Sequence, residues 1–140
     1  DQMTDVMTNI QNLEANFATI KDSAGTSSKA VESTDGIVKA IENASTQLTL
    51  IGFNASIEAK RAGAAGAGFN VIAQEVRTLA DKNTKQANEV ENTLNQIKKA
   101  ITGINAQLKS CNDEIMKNAD VIEQLKALVD EASEQVKALK

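Results

Sequence analysis

Histidine, proline, tryptophan and tyrosine are absent from the 140 residues, which include one cysteine, three phenylalanines and seven glycines. Without histidine, the chain lacks the usual general base that titrates near neutral pH and the commonest metal ligand. The single Cys111 excludes an intramolecular disulfide and a multi-cysteine zinc site. We therefore expect no catalytic residue, no metal site, no cofactor and no enzymatic activity.

Strong positive charge and long apolar runs are also missing. Fifteen basic and nineteen acidic residues give a net charge of −4, which argues against nucleic-acid binding. No run of 18 apolar residues is present, so we expect no membrane contact within this segment. No signal peptide is visible, and the chain starts at Asp1 rather than Met. We expect a cytoplasmic segment of a longer protein, and a membrane-anchored parent receptor stays open at this point.

Two long apolar stripes dominate what is present, and the absence of proline favours uninterrupted helices for both. Apolar or small residues recur at alternating steps of three and four, the heptad spacing of a coiled coil. The first stripe contains Met3, Val6, Ile10, Leu13, Phe17, Ile20, Ala24, Ser27, Val31, Thr34, Val38, Ile41, Ser45, Leu48, Gly52 and Ala55. The second contains Phe69, Ile72, Val76, Leu79, Asn83, Ala87, Val90, Leu94, Ile97, Ile101, Ile104, Leu108, Cys111, Ile115, Asn118, Ile122, Leu125, Val129, Ala132, Val136 and Leu139. Two successive steps of four, at Leu79–Asn83–Ala87, predict a local slip of the supercoil.

A glycine-rich segment separates the stripes and predicts a tight reversal. Its residues are Gly63, Ala64, Ala65, Gly66, Ala67 and Gly68. Glycine tolerates the positive φ that such a turn needs, and we expect this conformation at Gly66 and Gly68. A phosphate-binding loop is not indicated, because neither a preceding strand nor a following Lys-Ser/Thr is present. The chain is thus predicted as a single all-α, long antiparallel coiled-coil hairpin with an N-arm (1–62), a tip turn (63–68) and a C-arm (69–140).

Additional apolar residues flank the stripes and make each apolar surface wider than a two-helix seam requires. They are Met7, Ile37, Leu50, Ile51, Ile57, Val71, Met116, Val121 and Leu128. Two hairpins packed side by side would bury this surface. The expected assembly is a homodimer that forms a four-helix bundle rod.

Charge varies along the chain. Residues 51–85 contain five basic and three acidic residues, whereas residues 1–50 contain three basic and seven acidic residues. The mildly basic segment suits either docking to an acidic protein surface or an ordinary solvated face. Within it, Arg77, Asp81, Lys85 and Glu89 have the spacing of an i,i+4 ladder that would support the helix surface.

The segment from Asn54 to Ala80 resembles the hairpin tip of methyl-accepting chemotaxis proteins, the bacterial chemoreceptors. The resemblance is carried by Asn54, Glu58, Arg61, Ala-Gly at 62–63, Gly-x-Gly-Phe at 66–69 and Glu-Val-Arg-x-Leu-Ala at 75–80. The resemblance implies a cytoplasmic signalling domain whose tip binds a histidine autokinase and a small coupling adaptor. It also implies dimers that contact one another at the tip to form trimers. A structural or tethering coiled-coil rod without a kinase partner is the alternative, because heptads outside the motif are generic.

The same resemblance implies a partner-binding tip composed of Leu50, Phe53, Asn54, Glu58, Arg61 and Val71. Leu50, Asn54 and Val71 match positions near the adaptor-binding surface of the family. Glu58 and Arg61 match contacts between dimers, although their spacing of three also permits a local ion pair. Phe53 is either a contact residue or part of a bundle cap, and capping is also the simpler interpretation of Phe69.

This chain departs from the family pattern at several tip positions. Ala64 and Ala67 stand where an acid and an arginine are usual, Lys60 replaces a small residue, and Phe53 replaces a leucine. Methylation sites in the family are Glu or Gln pairs away from the tip. Glu134 and Gln135 are weak candidates for such a pair, since the acidic residues just before them differ from the usual small-residue context.

Overall fold

Two long helices joined by a short turn make up the chain in a computed structural model that describes residues 2–138. Helix α1 spans Gln2–Arg61 and helix α2 spans Ala67–Ala138. A single 3₁₀ turn, Gly63–Gly66, connects them. The prediction of an all-α helical hairpin is confirmed. Residues 1, 139 and 140 of the two predicted arms, including Leu139 of the second stripe, lie outside the described residues.

The turn is shorter than the predicted segment 63–68. Helix α2 begins at Ala67, so Ala67 and Gly68 are helical rather than part of the turn. The backbone amide of Ala62 donates to the carbonyl oxygen of Glu58 at 3.0 Å, and that of Ala67 donates to the carbonyl of Ala64. These bonds satisfy backbone groups where the α-helical pattern is interrupted.

The reversal depends on one glycine at positive φ. Within residues 2–138 only Gly63 adopts this conformation, with a φ of 60°. The expectation of positive φ at Gly66 and Gly68 is wrong. Both lie in regular right-handed backbone, because a single left-handed residue after α1 is enough to redirect the chain into the 3₁₀ turn.

Interhelix contacts divide the chain into two compact units. The turn unit contains residues 28–99, and the terminal unit combines residues 1–27 with residues 100–140. Each unit pairs a segment of α1 with a segment of α2.

Burial in the turn unit follows a seven-residue interval, with Ser56 as a further buried residue outside it. The buried residues of this series are Val31, Val38, Ser45, Gly52 and Ala59 in α1, Gly66 at the end of the turn, and Ala73, Ala80, Ala87 and Leu94 in α2. Near the turn the seam therefore consists of serine, glycine and alanine, whereas valine and leucine fill it farther along both helices. The Ser45 hydroxyl is satisfied locally by donating to the carbonyl of Ile41 at 2.8 Å.

One sequence prediction about this seam is wrong. The slip at Leu79–Asn83–Ala87 is absent, because Ala73, Ala80 and Ala87 keep a constant interval of seven. Ile72 and Leu79 of the predicted stripe lie outside the seam of the single chain and are exposed there. The prediction followed the largest apolar side chains, whereas close helix packing buries the alanines beside them.

The terminal unit shows the same interval with larger side chains. Its buried residues are Ile10 and Ala24 in α1 and Ile101 and Ile115 in α2. Phe17 and Leu108 occupy the intervening positions, Ile122 follows Ile115 by seven residues, and all three are half-buried. Here the heptad spacing predicted the seam correctly.

The second position of most heptads is left partly uncovered. In the turn unit this position is occupied by Ile41, Val90 and Ile97, each 40–43% exposed. In the terminal unit the same holds for Leu13, Ile20, Ile104 and Leu125, all between 40% and 45% exposed. A single chain thus buries one of its two apolar positions per heptad, and a second chain would cover the other.

Asp35 joins the two helices of the turn unit. Its carboxylate lies 3.0 Å from the Lys39 ammonium on α1 and 3.5 Å from the Lys98 ammonium on α2. The hydrogen bond from Lys39 holds the pKa of Asp35 below its usual value, and Asp35 in turn raises the pKa of Lys39. The contribution of the carboxylate to stability is therefore complete above the unfolded pKa of 3.8 and is lost as pH falls through the lower folded pKa.

Asp35→Asn is expected to lower the melting temperature slightly near neutral pH and to have no effect at a pH below the folded pKa of Asp35. Both lysines are exposed and the carboxylate is only half-buried, so solvent screens these pairs and the change is small. Thermal melts followed by circular dichroism across the acid range measure it. Asp81→Asn is the matched control, since no ion pair of Asp81 exists within residues 2–138. A difference between wild type and Asp35→Asn that persists unchanged into strong acid would contradict the interpretation.

Candidate functional site

The tip segment, residues 50–80, comprises the end of α1, the turn and the start of α2. Its seam is built from small residues, and this allows close approach of the two helices. A Cβ atom on Gly66 would overlap the carbonyl oxygen of Ala59. A Cβ atom on Gly52 would lie 2.6 Å from Cγ of Arg77 and 3.0 Å from the carbonyl oxygen of Ala73. Glycine is thus required at both positions for space rather than for φ.

A polar contact links the two helices next to this seam. The Ser56 hydroxyl donates to Oδ1 of Asn70 at 2.6 Å, and Ser56 is buried. Sequence reasoning missed this pair. A signal was available, because the two residues lie at equal distances before and after Gly63, and an antiparallel hairpin brings such positions together. The bond fixes the register of α1 against α2 close to the turn.

The predicted partner-binding residues all lie on the surface. Leu50, Phe53, Asn54 and Val71 are exposed, and none belongs to the buried seam between α1 and α2. Leu50, Phe53 and Asn54 share α1, and Val71 lies on α2. Ile57, which the site prediction omitted, is a further exposed apolar residue of α1, seven residues after Leu50. Seven-residue spacing places both on one side of the helix, which is the signal that would have found it.

Glu58 and Arg61 form the local ion pair that their spacing permits. Arg61 Nη1 donates to Glu58 Oε1 at 2.9 Å. The two side chains are 68% and 75% exposed, so the pair contributes little to stability. Both charges are accessible to a partner, which is what a contact between dimers would require.

An apolar groove runs along another face of the tip segment. Its volume is about 540 Å³. Its lining residues are Ile51, Gly52, Ala55, Glu58, Ala59, Ala62, Ala65, Gly66, Phe69, Ile72, Ala73 and Val76. Phe69 is 71% exposed in this groove and caps nothing within one chain. Ile72, which is absent from the seam, also lines this groove.

The surface ladder that the sequence predicted on α2 is not formed. Within residues 2–138, no ion pair joins Arg77, Asp81, Lys85 and Glu89. The guanidinium of Arg77 instead lies over the ring of Phe53, with its carbon 5.9 Å from the ring centroid. The missing side chain at Gly52 leaves room for the Arg77 stem to reach α1.

The weak methylation candidates lie near the end of α2. Glu134 accepts a hydrogen bond from Lys137 at 2.8 Å, and both side chains are largely exposed. Gln135 is also exposed. Exposure makes the pair accessible, and its modification stays a prediction.

Two absences hold for the part of the chain that the structure describes. No group of three or more cysteine, aspartate or glutamate side chains is placed to hold a metal ion between residues 2 and 138. In the same range, neither helix contains a stretch that is long and apolar enough to cross a membrane.

Comparison with known proteins gives one consistent family. A family model described as the methyl-accepting chemotaxis protein (MCP) signalling domain matches residues 1–140. The chain is 33% identical over 93 residues to YfmS of Bacillus subtilis (strain 168), whose name describes a sensory transducer, with 66% of this chain and 32% of that protein covered. It is 38% identical over 85 residues to the methyl-accepting chemotaxis protein McpA of the same organism, covering 61% of this chain and 13% of McpA.

A third relative is the frizzy aggregation protein FrzCD of Myxococcus xanthus, 32% identical over 91 residues, with 65% of this chain and 22% of FrzCD covered. The chain thus spans about a third or less of the length of these relatives. The match over the whole chain agrees with the helical hairpin and with the tip motif. The protein belongs to the family of methyl-accepting chemotaxis protein signalling domains.

Proposed function

We propose that this chain is the kinase-control hairpin of a chemoreceptor-like protein. Its tip segment binds a chemotaxis histidine kinase and a small coupling adaptor, and it performs no catalysis of its own. The observation that carries the proposal is the exposure of the tip motif. Leu50, Phe53, Asn54, Glu58, Arg61 and Val71 are all accessible, although the seam beside them needs none of them. Membership of a transducer family supports the same role.

The proposal includes a homodimer with a four-helix core. The half-covered heptad positions in both units and the apolar groove at the tip support it, because apolar surface of this extent is normally covered by a partner. Contacts between dimers, in the trimers that the family resemblance implies, would involve the exposed charges of Glu58 and Arg61. The segment would act in the cytoplasm, where the kinase and adaptor are found.

Reconstitution of the chain with kinase and adaptor tests the function. We expect the chain to bind the adaptor and to change the rate of kinase autophosphorylation. The alternative, a structural or tethering rod, predicts no binding and an unchanged rate. Dimerisation is tested separately by sedimentation equilibrium, where the expected mass is twice 14.9 kDa.

Charge reversal at Arg61 separates signalling from folding. Arg61→Glu is expected to leave the melting temperature nearly unchanged, because an exposed pair is worth at most about 1 kcal/mol. It is expected to weaken association between dimers and to reduce kinase control, since a like charge placed in a contact is repulsive. Kinase assays and thermal melts on the same preparations measure both effects.

Lys126→Glu, a charge reversal on α2 outside the tip segment, is the matched control. It should leave kinase control intact. An Arg61→Glu variant that melts much earlier but controls the kinase normally would show that Arg61 is structural.

A further inference from the structure

Arg77 is an exposed cation that is held in a defined position by two residues of the opposite helix. Its stem passes Gly52, where even a methyl group would lie 2.6 Å from Cγ of Arg77. Its guanidinium lies 5.9 Å from the centroid of the Phe53 ring. This distance is within the range of a cation–π contact. The stem and the head of the side chain are thus both constrained, which lowers the entropy lost when the guanidinium binds a partner.

No carboxylate of the described chain neutralises Arg77. Asp81 stands at the i+4 position of the same helix, yet no ion pair joins it to Arg77 within residues 2–138. Lys60 follows Phe53 by seven residues and lies on the same side of α1, so it adds a second positive charge there. Residues 51–85 carry a local excess of two basic residues in a chain with a net charge of −4. The surface around Phe53 therefore combines an exposed ring with uncompensated positive charge.

We infer that Arg77, positioned by Gly52 and Phe53, binds a carboxylate of the coupling adaptor. The inference rests on the proposed function and adds the chemistry of the partner surface. That surface carries an Asp or Glu side chain beside an apolar group, since the guanidinium would take the carboxylate and the Phe53 ring would pack against the apolar group. A guanidinium can bind a carboxylate through two parallel hydrogen bonds, a geometry that lysine cannot reproduce.

The test measures the affinity of the full 140-residue chain for the purified adaptor by titration calorimetry at low and moderate salt. Arg77→Glu is expected to weaken binding about 10-fold or more. Arg77→Lys keeps the charge but lacks the planar set of guanidinium donors, so it should also lose affinity. Arg77→Gln removes the charge, so part of the salt dependence of wild-type binding should disappear. Lys85→Glu reverses another exposed charge of α2 and should change affinity by less than about 2-fold.

Gly52→Ala tests positioning. It should reduce affinity while Arg77 is still present, because the new methyl group displaces the arginine stem. In the Arg77→Gln background the same change should reduce affinity less, since the guanidinium that it displaces is already absent and only the crowding against the Ala73 carbonyl oxygen and the residue 77 stem remains. Circular dichroism melts on every variant identify any loss of folding.

The outcomes are distinguishable. Adaptor binding that is equal in wild type and Arg77→Glu overturns the inference and leaves the proposed function standing. Absence of binding by the wild-type chain overturns both. If Arg77→Glu weakens association between dimers and leaves adaptor affinity unchanged, the surface is a contact between copies of this chain, and the inference is again overturned.

Discussion

Replacing Leu94 with alanine is expected to destabilise the folded chain by about 2–5 kcal/mol. Leu94 is 6% exposed in the seam between α1 and α2 of the turn unit. Removing its branched end leaves a cavity in the seam, which adds to the lost burial of the side chain itself. The loss should appear as a lower melting temperature at every protein concentration, because both helices of the contact belong to one chain.

Ile97→Ala is the matched comparison, three residues farther along α2. Ile97 is 40% exposed in the single chain and would be covered by a second one. Its replacement should therefore weaken the dimer and make the melting temperature depend more strongly on protein concentration. If both variants melt earlier by the same amount at all concentrations, the division into an internal seam and a partner-facing position is wrong.

The second large effect is expected from Gly66→Ala. The added methyl group would overlap the carbonyl oxygen of Ala59, so the backbone must move. Overpacking of this kind costs about 1–3 kcal/mol when neighbours can adjust, and a backbone carbonyl adjusts less easily than a side chain. Thermal melts measure the total loss, and hydrogen exchange of the amides around the turn shows where it is located.

Gly68→Ala provides the control for this prediction. Gly68 is helical, and an added methyl group there meets no atom within 4 Å. Alanine favours helix over glycine by about 1 kcal/mol at interior positions, so Gly68→Ala should be neutral or slightly stabilising. Equal destabilisation by the two substitutions would show that the turn is strained in some other way.

The sequence predicted the helical hairpin because the responsible signals are local. Proline is absent, apolar residues follow steps of three and four, and glycines cluster between the stripes. These features depend on the chain's own backbone and require no knowledge of its neighbours. The φ values of the turn were less predictable, since glycine permits positive φ without requiring it. Only Gly63 uses that freedom, whereas Gly66 is needed for space.

The seam near the turn was missed for a different physical reason. Alanine has a modest apolar surface, so Ala73 and Ala80 appear less suited to a core than Ile72 and Leu79. The helices approach closely near the turn, and only small side chains fit between their backbones. The alanines are therefore buried there, and the larger residues beside them lie outside the seam. The exposed tip residues were predicted through the family resemblance. The contact of Arg77 with Phe53 depends on the space at Gly52, and this cannot be read from spacing alone.

The small residues between the helices also affect how the chain folds. Contacts beside the turn close short loops, as between Ser56 and Asn70, which are 14 residues apart. Closing a short loop has a low entropic cost, yet the alanine and glycine contacts formed there bury little apolar surface. Larger aliphatic residues of the seam, such as Val38 and Leu94, lie farther from the turn, and their contacts close longer loops. Folding that starts at the turn therefore gains little free energy from its first contacts, and most of the stabilisation comes from layers of the hairpin farther along both helices.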